Sequence, residues 1–133
     1  MENFIDNQRC FVCGGQNSFG LKLNFKLTPE NSQAETEVNF PDHFQGWADV
    51  VHGGLVSTVL DEVMVKAATA KNISCVTAEM TVKFRKPIQP NTVYRVQGKI
   101  VEDRERVLLA NAALRDDNGL VFARASAKLF VIS

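Results

Sequence analysis

The chain has 133 residues, which suits one domain with a sizeable core. Fifteen basic and fifteen acidic residues cancel to zero net charge, which excludes binding of nucleic acid or membrane through the overall field of the protein. Three cysteines, an odd number, argue against a disulfide framework; with no basic-then-apolar leader and no apolar run near the roughly 20 residues that span a bilayer, a cytoplasmic protein is expected.

In chain order, Cys10 and Cys13 come first, spaced like half of a zinc site. A second pair is missing, and His43 and Cys75 are the residues that could complete four ligands. No βαβ pattern surrounds the pair, so thioredoxin-like redox chemistry is not expected. The expectation is no metal and no cofactor.

Strand signals follow. Leu21, Leu23, Phe25 and Leu27 alternate with Lys22, Asn24 and Lys26, and Ala34, Thr36, Val38 and Phe40 with Glu35, Glu37 and Asn39. The longest alternation places Val76, Ala78, Met80, Val82 and Phe84 on one face and Thr77, Glu79, Thr81, Lys83 and Arg85 on the other, until Pro87 and Pro90 end it. A segment near 92–102 alternates through Tyr94, Val96 and Ile100. Leu108, Ala110, Ala112 and Leu114 form the next strand, and the hairpin signal Asp116-Asp117-Asn118-Gly119 leads into a last strand ending at Ile132. Six strands joined mostly by short turns predict an antiparallel sheet in an α+β fold.

One helix is predicted between the second and third strands, from about Gly53 to Lys71. Leu55, Val56, Val59, Leu60, Val63, Met64 and Ala67 share a broad apolar face suited to the sheet. The other side carries Gly54, Ser57, Thr58, Asp61, Val65 and Ala68, small or apolar apart from one carboxylate, as a face for close approach by a second protomer would. Glu62 and Lys66, four apart, are expected to support each other in water.

His52-Gly53-Gly54-Leu55-Val56-Ser57-Thr58-Val59-Leu60-Asp61 resembles the helix-start motif of the hotdog thioesterases, with the acid in matching register. Cys10-Phe11-Val12-Cys13-Gly14, with Asn17, Gly20-Leu21 and Phe25, is similar to the N-terminal segment of one branch of that superfamily. The resemblance covers nearly the whole chain and is to the small PaaI-like and 4-hydroxybenzoyl-CoA thioesterase-like branch. It implies a hotdog fold, a curved antiparallel sheet of about six strands wrapped around one central helix. It also implies hydrolysis of an acyl-CoA or related acyl thioester.

That chemistry needs a polarised carbonyl and an activated nucleophile. The amide of Gly53, with Gly54 as a second donor, lies at the positive end of the helix dipole, where an oxyanion is stabilised. The alternative is that the two glycines only let the loop turn into the helix. Asp61 is a candidate general base on water or a nucleophile forming a mixed anhydride, and both remain open. It lies eight residues beyond Gly53, about 12 Å along one helix, so the two cannot touch one carbonyl within a protomer. Two helices packed antiparallel would bring Asp61 of one toward Gly53 of the other. The resemblance implies the same site at the interface of a homodimer, possibly within a dimer of dimers.

His52 either donates a hydrogen bond near the substrate carbonyl or braces the helix start. Thr77 stands where related enzymes often carry a water-orienting hydroxyl, or is a threonine on a polar strand face. Many relatives have an amide side chain where this chain has Gly46, and the neighbouring Gln45 is the candidate replacement. Lys83, Arg85 and Lys86 are candidates for the phosphates of coenzyme A. Trp47, Phe44, Met64 and Phe84 are candidates for an acyl pocket or for core. Two further functions stand beside hydrolysis: a hotdog protein that binds an acyl thioester without turnover, and a 3-hydroxyacyl dehydratase, to which His43-Phe44-Gln45-Gly46 is weakly similar.

Overall fold

In the computed structural model, which describes residues 4–132, the strands are β1 (Lys26–Thr28), β2 (Gln33–Asn39), β3 (Cys75–Phe84), β4 (Val93–Asp103), β5 (Val107–Arg115) and β6 (Val121–Val131). A single α-helix, α1 (Gly53–Thr69), separates β2 from β3. All six strands join one antiparallel sheet in the order β1-β2-β4-β5-β6-β3. The helix packs against every strand, so the sheet wraps around it, which is the expected hotdog architecture. Among the described residues, no helix is long and apolar enough to cross a membrane.

The apolar stripe explains the docking of α1. Val56, Val59, Leu60, Val63, Met64 and Ala67 are buried against Val38, Phe40, Tyr94, Val96, Leu108, Leu114 and Leu129 from the sheet. Each fully buried aliphatic side chain contributes roughly 1.5–3 kcal/mol relative to exposure. Gly98 in β4 sets the distance of closest approach, since a Cβ there would lie 2.7 Å from the Val63 carbonyl oxygen. Two expectations for the helix change. Leu55 is only half-buried, whereas Ala68, placed on the outward face, is fully buried in the core. The helix also ends at Thr69, two residues short of Lys71, where Asn72 turns the chain at a φ of 61°.

The alternating segment 21–27 is mostly not strand; only Lys26–Thr28 pairs with β2. Leu21 and Leu23 donate their amides to the carbonyls of Phe11 and Val12 instead, and the Thr36 hydroxyl donates to the Asn24 carbonyl. Leu21, Leu23 and Phe25 still pack on the core. The period is therefore that of an extended segment with one buried side, satisfied by the N-terminal segment rather than by a ladder.

In β3, register with β6 shifts between Thr77 and Glu79, leaving Ala78 as the extra residue of a β-bulge. Before the bulge, Cys75 and Thr77 oppose Val131 and the buried Leu129; beyond it, Met80, Val82 and Phe84 oppose Ala127, Ala125 and Ala123. Unbroken alternation put Val76 and Ala78 inward and Thr77 outward. The bulge reverses this, because an inserted residue changes which face the following side chains occupy.

Candidate functional site

The helix start is built by His52. Its Nδ1 accepts the Gly54 amide at 3.0 Å, and its carbonyl accepts Leu55 and Val56 at 3.0 and 3.3 Å. Accepting at Nδ1 places the ring proton on Nε2. The amide of Gly54, the expected second oxyanion donor, is thus engaged with His52 inside the loop. The amide of Gly53 precedes the first intrahelical hydrogen bond and has no acceptor among the described residues, as the first turn of a helix requires.

A cavity of about 690 Å³ opens at this helix start. Its walls come from 46–53, including Gly46, Trp47, His52 and Gly53, and from 84–88, including Phe84, Arg85 and Lys86. The two segments are tied together by the Val51 amide donating to the Ile88 carbonyl at 2.8 Å. Arg85 and Lys86 are held at the rim because both their amides donate to the Phe122 carbonyl, at 2.8 and 3.1 Å. Lys83 does not join them. It lines a separate depression with Thr81, Asn111 and Arg124 on the outer face of the sheet.

Gln45 also lies apart from this wall. Its Nε2 donates to the Asp42 carbonyl at 2.8 Å and its Oε1 accepts the Asp49 amide at 2.6 Å, so the side chain closes its own loop. Trp47 and Phe84 stand beside the cavity, 85% and 52% exposed. Phe44 and Met64 are core residues instead. His43 lines a different depression with Phe19 and Phe40, away from Gly53.

Asp61 is half-buried two turns further along α1. Its Oδ1 accepts the Thr77 hydroxyl at 2.5 Å, which the bulge at Ala78 makes possible by turning Thr77 toward the helix. Cys75 lies on the same face of β3, and burial together with the Asp61 carboxylate pushes its thiol up to about 11. The other hydroxyls of this helix face are satisfied locally, Ser57 and Thr58 donating to the carbonyls of Gly53 and Gly54 at 2.9 Å each. Glu62 does not pair with Lys66; its Oε2 accepts the Cys10 thiol at 2.8 Å.

The fold thus joins Asp61 to Thr77, and Gly53 to His52, Arg85 and Lys86, as two clusters at different levels of one helix. Sequence reasoning missed Val50, Val51, Pro87 and Ile88 as cavity wall. Their only signal was the proline-bounded end of β3, which marks a chain turn without saying what it meets. It also missed the contact between Phe84 and Gly53, where a Cβ on the glycine would lie 3.2 Å from the phenyl ring.

Comparison with known proteins adds a family. Residues 48–123, more than half of the chain, match the model of the thioesterase superfamily. A candidate esterase of Saccharolobus solfataricus is 23% identical over 105 residues, covering 77% of this chain and 74% of its own. Among solved structures, a thioesterase superfamily protein superposes with a TM-score of 0.85 at 19% identity, covering 98% of this chain and 68% of that one. A hypothetical thioesterase of Streptococcus pneumoniae, solved with coenzyme A, gives 0.77 at 14% identity over 84% of this chain and 89% of its own. Variants of that protein with an aspartate or a threonine replaced by alanine have the same fold.

Proposed function

The chain belongs to the thioesterase superfamily, and from that premise we propose that it hydrolyses an acyl-CoA thioester at a site shared by two protomers. The observation that carries this reading is the pairing of Asp61 with Thr77 on the helix that begins with the open Gly53 amide beside the cavity. Separation along the helix, about 12 Å for eight residues, keeps Asp61 from a carbonyl bound at Gly53 of the same chain. A second protomer packed antiparallel supplies the missing carboxylate.

The Gly53 amide then holds the carbonyl oxygen of the thioester. Arg85 and Lys86 at the rim hold phosphates of coenzyme A, Arg85 through paired donors. His52 caps the helix through Nδ1 and, being exposed, offers its Nε2–H as a further donor. Thr77 donates to one oxygen of Asp61 and leaves the other for water. Asp61 takes a proton as that water attacks the thioester carbon, and the oxyanion forms at Gly53. Collapse breaks the C–S bond, and the departing thiolate receives the proton from Asp61. The products are a carboxylic acid and the free thiol.

Two features of the neighbours support this assignment. The Streptococcus pneumoniae protein was solved with coenzyme A. The aspartate and threonine replaced in its variants are sixteen residues apart, the separation of Asp61 and Thr77.

The test is thiol release from short, long and aromatic acyl-CoAs and from an acyl-carrier-protein thioester, comparing wild type with Asp61→Ala and recording the oligomeric state of both. Turnover by wild type that falls by about 10²–10⁴-fold in a dimeric Asp61→Ala supports the carboxylate as base. Equal turnover by the variant, or none by wild type on any ester, overturns the proposal.

A further inference from the structure

The N-terminal Cys-x-x-Cys turn has no part in this chemistry, and the fold brings it to a partner that sequence spacing does not suggest. Cys10 Sγ accepts the amides of Val12 at 3.4 Å and Cys13 at 3.5 Å. The Gly14 amide closes the turn on the Cys10 carbonyl at 2.9 Å. Gly14 has no room for a side chain, since a Cβ would lie 2.4–2.6 Å from backbone atoms of Cys10 and Gln8. The turn therefore requires glycine after the second cysteine and aims two peptide dipoles at one sulfur, an arrangement that favours a negatively charged sulfur.

Both thiols face α1. One ligand atom each from Cys10, Cys13 and Glu62 lies within 4.8 Å of the others, and all three residues are half-buried. Ligand atoms of a tetrahedral zinc ion, at about 2.3 Å for sulfur and 2.0–2.2 Å for carboxylate oxygen, stand roughly 3.5–3.8 Å apart. The pair Cys10 Sγ and Glu62 Oε2, at 2.8 Å, already lies inside that spacing. His43 and Cys75, the residues that sequence offered as further ligands, are not members of it.

We propose that Cys10, Cys13 and Glu62 bind a zinc-class divalent cation, with water as fourth ligand, clipping the N-terminal segment to α1 one residue beyond Asp61. Two thiolates with one carboxylate select a borderline-soft ion over magnesium or calcium. Binding releases two thiol protons to solvent and involves no electron transfer. The resulting charge is minus one, and Lys66 follows Glu62 by one turn of α1. The site is independent of the thioesterase assignment and is tested without an activity assay.

The full-length protein is stripped with a chelator under reducing conditions and titrated with Co²⁺, then with Zn²⁺. Expected are a near-ultraviolet thiolate-to-cobalt charge-transfer band and intense visible bands of tetrahedral cobalt, saturating at one ion per chain and lost on adding zinc. Cys13→Ser removes the charge-transfer signal from Cys13, Glu62→Gln weakens binding by about tenfold or more, and Cys75→Ala leaves the titration unchanged. Circular dichroism checks that each variant is folded; should Cys13→Ser not fold, Glu62→Gln decides the outcome. The proposal is overturned by an absent charge-transfer band at saturating cobalt, by unchanged affinity in folded Glu62→Gln, or by a Cys10–Cys13 disulfide that persists under reduction and excludes the ion.

Discussion

At the level of single residues, the Thr77 hydroxyl donates to the Asp61 carboxylate at 2.5 Å, and under the proposed mechanism its loss should be felt in the chemical step. Thr77→Val keeps the shape and removes the donor. We expect kcat to fall by about 10–100-fold with KM little changed, because small displacements of a catalytic group have effects of that size. Thr77→Ser, which keeps the donor, should stay within a few-fold of wild type. Equal effects of both substitutions in steady-state kinetics would remove the hydrogen bond from the account. Cys75 gives a second prediction. Its thiol ionises near 11 when folded, against 9.0 for the unperturbed group, so the folded state holds more protons between those values. Stability contributed at low pH is therefore lost as pH rises through that window. Urea unfolding should show the stability gap between wild type and Cys75→Ala narrowing from about pH 9 to about pH 11. A constant gap would refute it. Asp61 and Gly53 of the proposed site are legible in the sequence as residue types at a set spacing, whereas the engagement of the Gln45 side chain within the 42–49 loop is not, because it depends on a turn that composition does not encode.

At the level of elements, α1 is held close to β4 by the missing side chain of Gly98. Gly98→Ala pushes a methyl to within 3 Å of the Val63 carbonyl, and helix and sheet backbone cannot yield cheaply. We expect a loss of about 1–3 kcal/mol in urea unfolding. Gly53→Ala should behave differently. Its methyl meets the half-exposed Phe84 ring, which has room to move, so stability should stay within about 0.5 kcal/mol. Crowding the amide should still lower kcat by roughly 10–100-fold. The helix and the later strands were readable because their periods extend over many residues. The phase of β3 was not. Val76 and Ala78 are apolar like Met80 and Val82, so nothing in the pattern marks Ala78 as the inserted residue, and Thr77 is assigned to the wrong face. That single insertion separates a fold that sequence makes plain from a site geometry that it hides.

At the level of the whole molecule, the two halves of the proposed site sit at opposite ends of a helix segment, and Trp47 and Phe84 leave aromatic surface open beside the cavity. In the proposed dimer, antiparallel pairing of two α1 helices would join each Gly53 to the second protomer's carboxylate and make two sites. This arrangement predicts complementation. Asp61→Ala and Gly53→Val each damage both sites of their own homodimer. In a dimer containing one chain of each, one site has both substitutions and the other has neither. Random pairing of equal amounts makes half of all dimers mixed, with one of two sites intact, so activity should recover to about a quarter of wild type. Mixed dimers isolated through two different affinity tags should reach about half. A site contained within one protomer gives neither value, because every chain in the mixture carries a damaged copy. Activity that stays at the parental level in isolated mixed dimers would therefore disprove the shared site while leaving the fold and the family untouched.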